Sequence, residues 1–287
     1  MSAGLQPDET EPAEWVVNAP LRPGLPALRI GQVWQQRELI LFFAQRDVKV
    51  RYKQAFLGAA WAALNPFIGA LTFTILFDRL AKIDVGETPY FAFALAGFIT
   101  WNYFSTTLSN GTGSLLANGD LLTKVALPRI VPPTATLLPG LVDLAVGIAI
   151  TIVVSIVSGA GIDPVAFVVF LPLGLLLLLL AVAGPVLLFS ATIVRYRDVG
   201  IVVGFGLQLV LFLSPVAYPS SLVPEAWRVL YYANPLAGAL GLLRAALLDT
   251  TAPPIGSLAL SFAVAIVGLV LGLTHFRRHE RSMADII

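Results

Sequence analysis

RDVKVRYKQAFLGAAWAALNP, residues 46–66, passes from a basic surface segment to an apolar one within a single turn of helix. Arg46, Lys49, Arg51 and Lys53 stand against one acid, Asp47, whereas residues 57–77 form a run of 21 without a charge. At about 1.5 Å rise per residue, such a run covers the roughly 30 Å hydrocarbon core of a bilayer and reads as a membrane-spanning helix. The basic flank marks the end that stays in the cytoplasm, and the orientation of all that follows depends on it.

Composition agrees. The chain is 57% hydrophobic and 12% charged, with a mean hydropathy of +0.84, against about 45–50% and about 25% in soluble domains. This is a polytopic, all-α membrane protein. Its 18 basic and 17 acidic residues nearly cancel, so net charge gives no support to nucleic-acid binding. The absence of cysteine excludes disulfides, thiol catalysis and thiolate metal sites. Residues 1–32 carry Asp8, Glu9, Glu11, Glu14 and five prolines and lack the apolar core of a cleavable signal peptide, so they read as a mobile cytoplasmic arm.

Residues 33–53 read as an amphipathic helix at the membrane surface, with Trp34, Leu41, Ala44, Val48 and Tyr52 on one side. Gln35, Glu38, Arg46, Lys49 and Lys53 fall on the other, and Phe42 interrupts that polar face. Packing of the same pattern on another protein is the alternative. Spans are then expected at about 57–78, 91–108, 133–158, 165–194, 201–216 and 255–274. The Gly, Asn, Ser and Thr-rich stretch 109–120 is placed in short helices and turns outside the lipid. Residues 229–243 are apolar but only 15 long and broken by Asn234-Pro235, too short to cross, and read as two short re-entrant helices. A basic tail, 276–287, closes the chain.

With both ends inside, positive charge concentrates in the cytoplasmic segments. The external ones hold Arg79, Lys82, Arg228 and Arg244, so the positive-inside rule supports this orientation.

Residues able to do chemistry are scarce. Asp143 is the lone acid well inside a span, and His275 and His279 lie at the tail. A membrane-embedded carboxylate is costly, so Asp143 is either functional or bonded to a neighbouring helix. No G-x-x-x-x-G-K-[ST] loop occurs, so an ATP-driven process needs its motor on another polypeptide. The pairs Gly111/Gly113 and Gly204/Gly206 are isolated and suit turns or close helix packing. Trp61, Trp101, Tyr103, Phe104, Tyr218, Trp227, Tyr231 and Tyr232 fall near span ends, as interfacial belts require. The other reading is that some line a conduit and stack on sugar rings.

Five stretches in order, RDVKVRYKQAFLGAAWAALNP, LLTKVALPRIVPP, VRYRDV, LFLSPVAYPSSLVP and YYANPLAGALGLLRAALL, resemble the membrane subunits of type-2 ABC exporters of polysaccharides. That family includes bacterial O-antigen, capsule, teichoic acid and cell-wall galactan exporters, and the resemblance covers about residues 33–275. It implies a homodimer in the bacterial inner membrane, bound to two copies of a separate ATPase that carries ATP and Mg, and moving a lipid-linked polysaccharide. No cofactor and no metal site is expected in this chain.

It further implies that the amphipathic helix 33–53, the loop 111–120 and the RYRDV turn rest on the ATPase. Contact candidates are Arg46, Asp47, Lys49, Arg51, Asn118, Asp120, Arg195, Arg197 and Asp198. Residues 227–247 would match the family's external gate helices, and channel or gate candidates are Trp61, Phe67, Trp101, Tyr103, Asp143, Tyr218, Trp227, Tyr231, Tyr232 and Asn234. Export of small hydrophobic molecules or lipids on the same scaffold is the nearest alternative. A glycolipid enzyme would need clustered acids or histidines, and a channel or secondary transporter a second intramembrane charge.

Overall fold

The computed structural model describes residues 30–53, 60–86, 88–124 and 127–280. Almost all of the expected arm, most of the tail and the side chain of Trp61 lie outside the described residues. The described residues are helical, with no strand. In order they form α1 Ile30–Gln35, α2 Arg37–Lys53, α3 Ala60–Phe73 with a π-helical continuation Thr74–Leu80, α4 Tyr90–Ala117, α5 Gly119–Lys124 and α6 Val131–Ala135. Then come α7 Pro139–Ser158, α8 Pro164–Ile193, α9 Val199–Leu213, α10 Arg228–Tyr232, α11 Pro235–Leu248 and α12 Ile255–His279.

Three helical segments are long and apolar enough to cross a membrane, 131–158, 164–193 and 255–279, while α9 and α11 are apolar but shorter. Local chemistry sets their ends. Asp163 accepts from the Val165 amide at 2.9 Å, and Pro164 opens α8 where its missing N–H costs nothing. Gly159, at φ 74°, closes α7 in the left-handed region.

Two expectations change. Residues 109–117 continue α4 without a break, because Thr112 and Ser114 bond back to Leu108 O and Gly111 O at 2.7 Å and bury there. At 28 residues, α4 is a rod of about 42 Å. The expected span 133–158 falls within one membrane-length helical segment, but that segment is interrupted by a turn at residues 136–138, where Pro139 cannot donate a helical bond. The Leu137 carbonyl, left without a helical partner, accepts from the Tyr103 hydroxyl at 2.9 Å.

Buried side chains define the two ends of the bundle. At one, Leu115 of α4, Ile130, Leu187 and Ala191 of α8, and Leu273 and Phe276 of α12 form a single cluster. Beside it Phe43 of α2 packs on Val131 and Ala135. At the other end, the start of α4, the turn after α9, α10, α11 and the loop before α12 surround a cavity of 620 Å³. Helix α11 is held between α8, α12 and α4, and its residues from Leu236 to Leu248 are almost all buried. The break at Asn234-Pro235 therefore sits against protein, the condition under which irregular backbone at membrane depth is tolerated.

Candidate functional site: a charged ledge and a capped turn

At the α2 end, the amphipathic reading needs one correction. The residues buried on the bundle are Phe43 and Ala44, with Leu39 and Ile40 alongside, while Trp34, Leu41 and Phe42 are exposed. Arg46 and Asp47 pair with each other at 2.8 Å, and the Arg46 guanidinium lies 4.5 Å from the Phe43 ring. This pair is partly exposed, where such contacts contribute about 0–1 kcal/mol and are given up cheaply. Lys49 and Lys53 are exposed.

Arg51 turns inward instead. Its guanidinium pairs with one Asp143 carboxylate oxygen, and the Tyr52 hydroxyl donates to the other. Burial first, then this hydrogen bond, push the Tyr52 hydroxyl up to about 12, so it stays protonated and keeps donating. Of the two meanings open for Asp143, the structure shows the bonded one, with partners on α2 that the sequence pattern did not identify.

The other expected ledge residues divide. Arg195, Arg197 and Asp198 are all exposed in the turn between α8 and α9, and Arg195 lies over the Tyr196 ring at 5.5 Å. Asp120, Leu121 and Lys124 are exposed on α5. The segment 111–120, expected as a surface loop, is half inside the bundle: Gly111, Thr112, Ser114 and Leu115 are buried. Asn118 is half-buried and donates to Ser114 O at 2.8 Å. A Cβ on Gly111 would meet Val186 at 2.6 Å, close packing of the kind expected for that pair, whereas Gly113, Gly204 and Gly206 face open space. A groove of 620 Å³ runs between α2 and this part of α4, lined by Arg46, Asp47, Ser109, Asn110 and Asn118.

At the far end, residues 214–217 form a buried turn whose carbonyls have no helical partner. Arg244, counted among the external charges, is 5% exposed and fills two of them. It donates to Pro215 O and Val216 O at 2.6 Å each and to Phe93 O at 3.3 Å. Its guanidinium also lies 3.5 Å from the Phe93 ring centroid. Tyr90 caps the carbonyl of Ala217, and that of Ser214 accepts from the Val216 amide at 2.7 Å. Contact this close requires Gly97 on α4, since a Cβ there would sit 2.2 Å from Val216 O and 2.6 Å from an Arg244 nitrogen. Sequence reading missed Arg244, and the available signal was a charge inside a run otherwise apolar from Pro235 to Leu248.

The aromatic candidates scatter. Tyr103 is buried in its bond to Leu137, and Tyr232 is buried, edge-on to Tyr231 at 4.8 Å. Tyr218 bonds the last carbonyls of α9, its hydroxyl 3.2 Å from Leu213 O. Asn234 caps α11 through the Leu236 amide at 3.1 Å and donates to Ser214 Oγ at 2.8 Å. Trp101 packs beside Phe104, Phe67 is partly exposed against Phe91 at 5.1 Å, and Trp227 is 61% exposed. Tyr231, Tyr232, Arg228 and Arg244 share the far-end cavity with Ser220, Ser221, Thr250 and Thr251.

Among the described residues no cluster of His, Asp or Glu could hold a metal. The ledge can make reversible polar contacts, and the cavity presents hydroxyls, aromatic rings and guanidinium groups.

Comparison with known proteins gives this architecture a family. Residues 38–248 match the family model described as ABC-2 type transporter. The chain is 29% identical over 260 residues to the O-antigen export system permease protein RfbA of Myxococcus xanthus, covering 90% of this chain and 98% of that one. It is 26% identical over 254 residues to the RfbA of Klebsiella pneumoniae, with coverage of 87% and 95%. Against the polysialic acid transport protein KpsM of Escherichia coli the identity is 24% over 242 residues, with coverage of 83% and 92%. A helical membrane chain with a mixed-charge ledge at one end, matched by that model over most of its length, is a member of the ABC-2 type transporter membrane family.

Proposed function

We propose that this chain is the permease half of an ATP-driven exporter that moves a lipid-linked polysaccharide out of the cytoplasm. In this reading two copies form the conduit and two copies of a separate ATPase dock on the α2 end, which faces the cytoplasm with both termini. The six expected spans place α3, α4, α7, α8, α9 and α12 across the inner membrane, with α10 and α11 as the external gate. The full-length likeness to permeases named for O-antigen export supports the cargo class. The observation that carries the motor's docking place is the exposed, two-signed turn Arg195, Arg197, Asp198 at the same end as α2. Exposed groups of both signs suit a polar interface that must form and release each cycle. On α9, Ile201, Phe205, Leu209 and Phe212 are exposed, an apolar face to be covered by lipid or by the second copy.

The test is export from cells in which the gene is replaced by Arg197→Ala and Asp198→Ala variants. Surface polysaccharide should fall while membrane insertion and dimer formation persist. Normal export by both variants, or ATP hydrolysis by this polypeptide purified alone, would count against the assignment.

A further inference from the structure

Helix α2 is tied to the bundle at two places of different character. Phe43 sits in a small apolar cluster on α6, a non-directional contact that tolerates sliding. Eight residues on, in the last turn of α2, Arg51 and Tyr52 each take one oxygen of Asp143 on α7. Among the described residues these are the sole side-chain hydrogen bonds from α2 to another helix. Two donors on one carboxylate fix both distance and direction, which the apolar seat does not.

Asp143 also stands at a junction. It lines a small pocket with Pro66 of α3, Asn102, Tyr103 and Thr106 of α4, and Gly140 of α7. Helix α7 packs closely on α4 there. A Cβ on Gly140 would lie 3.0 Å from Tyr103 and Thr107, and one on Gly147 would lie 2.7 Å from Ile99. Asp143 thus stands where α7 is packed against α4, and α4 carries Phe93, on which Arg244 rests at the far end.

We propose that Arg51, Tyr52 and Asp143 form the joint through which a displacement of α2 reaches the bundle, with Asp143 as the positioning residue. The proposal rests on the export reading, in which the ATPase displaces α2. A charged pair suits this task because its partners stay half-buried, at 30% and 16% side-chain exposure, and can be strained without being lost.

The experiment compares two readouts: ATP hydrolysis by the purified permease–ATPase complex, and surface polysaccharide on intact cells quantified by periodate–hydrazide labelling. Asp143→Asn should leave hydrolysis within about twofold of wild type, and Asp143→Asn and Arg51→Gln should each lower export about tenfold. Their combination should be no worse than the worse single, as for two members of one interaction. Arg51→Lys, which keeps the charge, should recover most of the export. Wild-type export by the single variants, or a double variant whose loss is the product of the two, would overturn the joint. If Asp143→Asn does not assemble, Tyr52→Phe carries the test, because it removes one donor and nothing else. A severalfold drop in polymer exported per ATP supports the joint, and an unchanged ratio overturns it. Failure of the export reading looks different: cells lacking the gene would display as much polymer as wild type.

Discussion

Arg51 and Arg244 both carry a guanidinium into the bundle, one at each end, and they are satisfied in different ways. Arg51 meets a carboxylate from another helix and keeps 30% of its side chain exposed. Arg244 is 5% exposed, has no carboxylate partner among the described residues, and rests on three backbone carbonyls. A pair of opposite charges near water can part and reform, because each partner has somewhere else to go. A cation that supplies donors to a buried turn has no such exchange, because its departure strands the turn. The difference separates a contact fit for motion from one fit for holding shape.

Arg244→Ala should show the largest effect. Two carbonyls of the buried turn, Pro215 O and Val216 O, lose their donor, at about 1–3 kcal/mol each, so folded protein recovered after detergent extraction and heating should fall sharply. Arg244→Lys, reaching fewer of the carbonyls, should fall between that variant and wild type. Equal stability of all three proteins would break the contrast.

Gly97→Ala comes next. Its Cβ would press on Val216 O and Arg244, and overpacking of this kind costs typically about 1–3 kcal/mol. A lowered melting temperature by size-exclusion thermal assay is the expected outcome, and it should not add to that of Arg244→Ala, since both act on one turn. Asn234→Ala removes the cap of α11 and should cost about 1 kcal/mol in the same assay.

At the α2 end the order of sizes reverses between stability and transport. Arg46→Ala breaks a partly exposed pair worth about 0–1 kcal/mol, and the melting temperature should hardly move. Any change should appear in salt-sensitive retention of the ATPase on immobilised permease. A marked loss of thermal stability would show that Arg46 serves the fold instead.

The sequence made the apolar helices legible because their runs are long and uncharged, and their starts carry Asp163-Pro164 and Asn234-Pro235. It also foretold that residues 229–243 would be two pieces. It did not show that Arg244 is buried, because the carbonyls that make its burial tolerable belong to residues 28, 29 and 151 positions away. It named Asp143 without its partner for the same reason, since Arg51 lies 92 positions upstream. Residues 109–117 looked like surface because Gly, Asn, Ser and Thr favour turns. Inside a bundle the same small side chains return their hydroxyls to the preceding turn and allow α8 to come close.

The filled carbonyls of residues 215–217 also bear on redesign. Because Arg244 and Tyr90 occupy them from behind, the floor of the far-end cavity cannot be recut one side chain at a time. Ser220, Ser221, Thr250 and Thr251 line the same cavity from the connections on either side of it, so its rim can be varied without touching the filled turn.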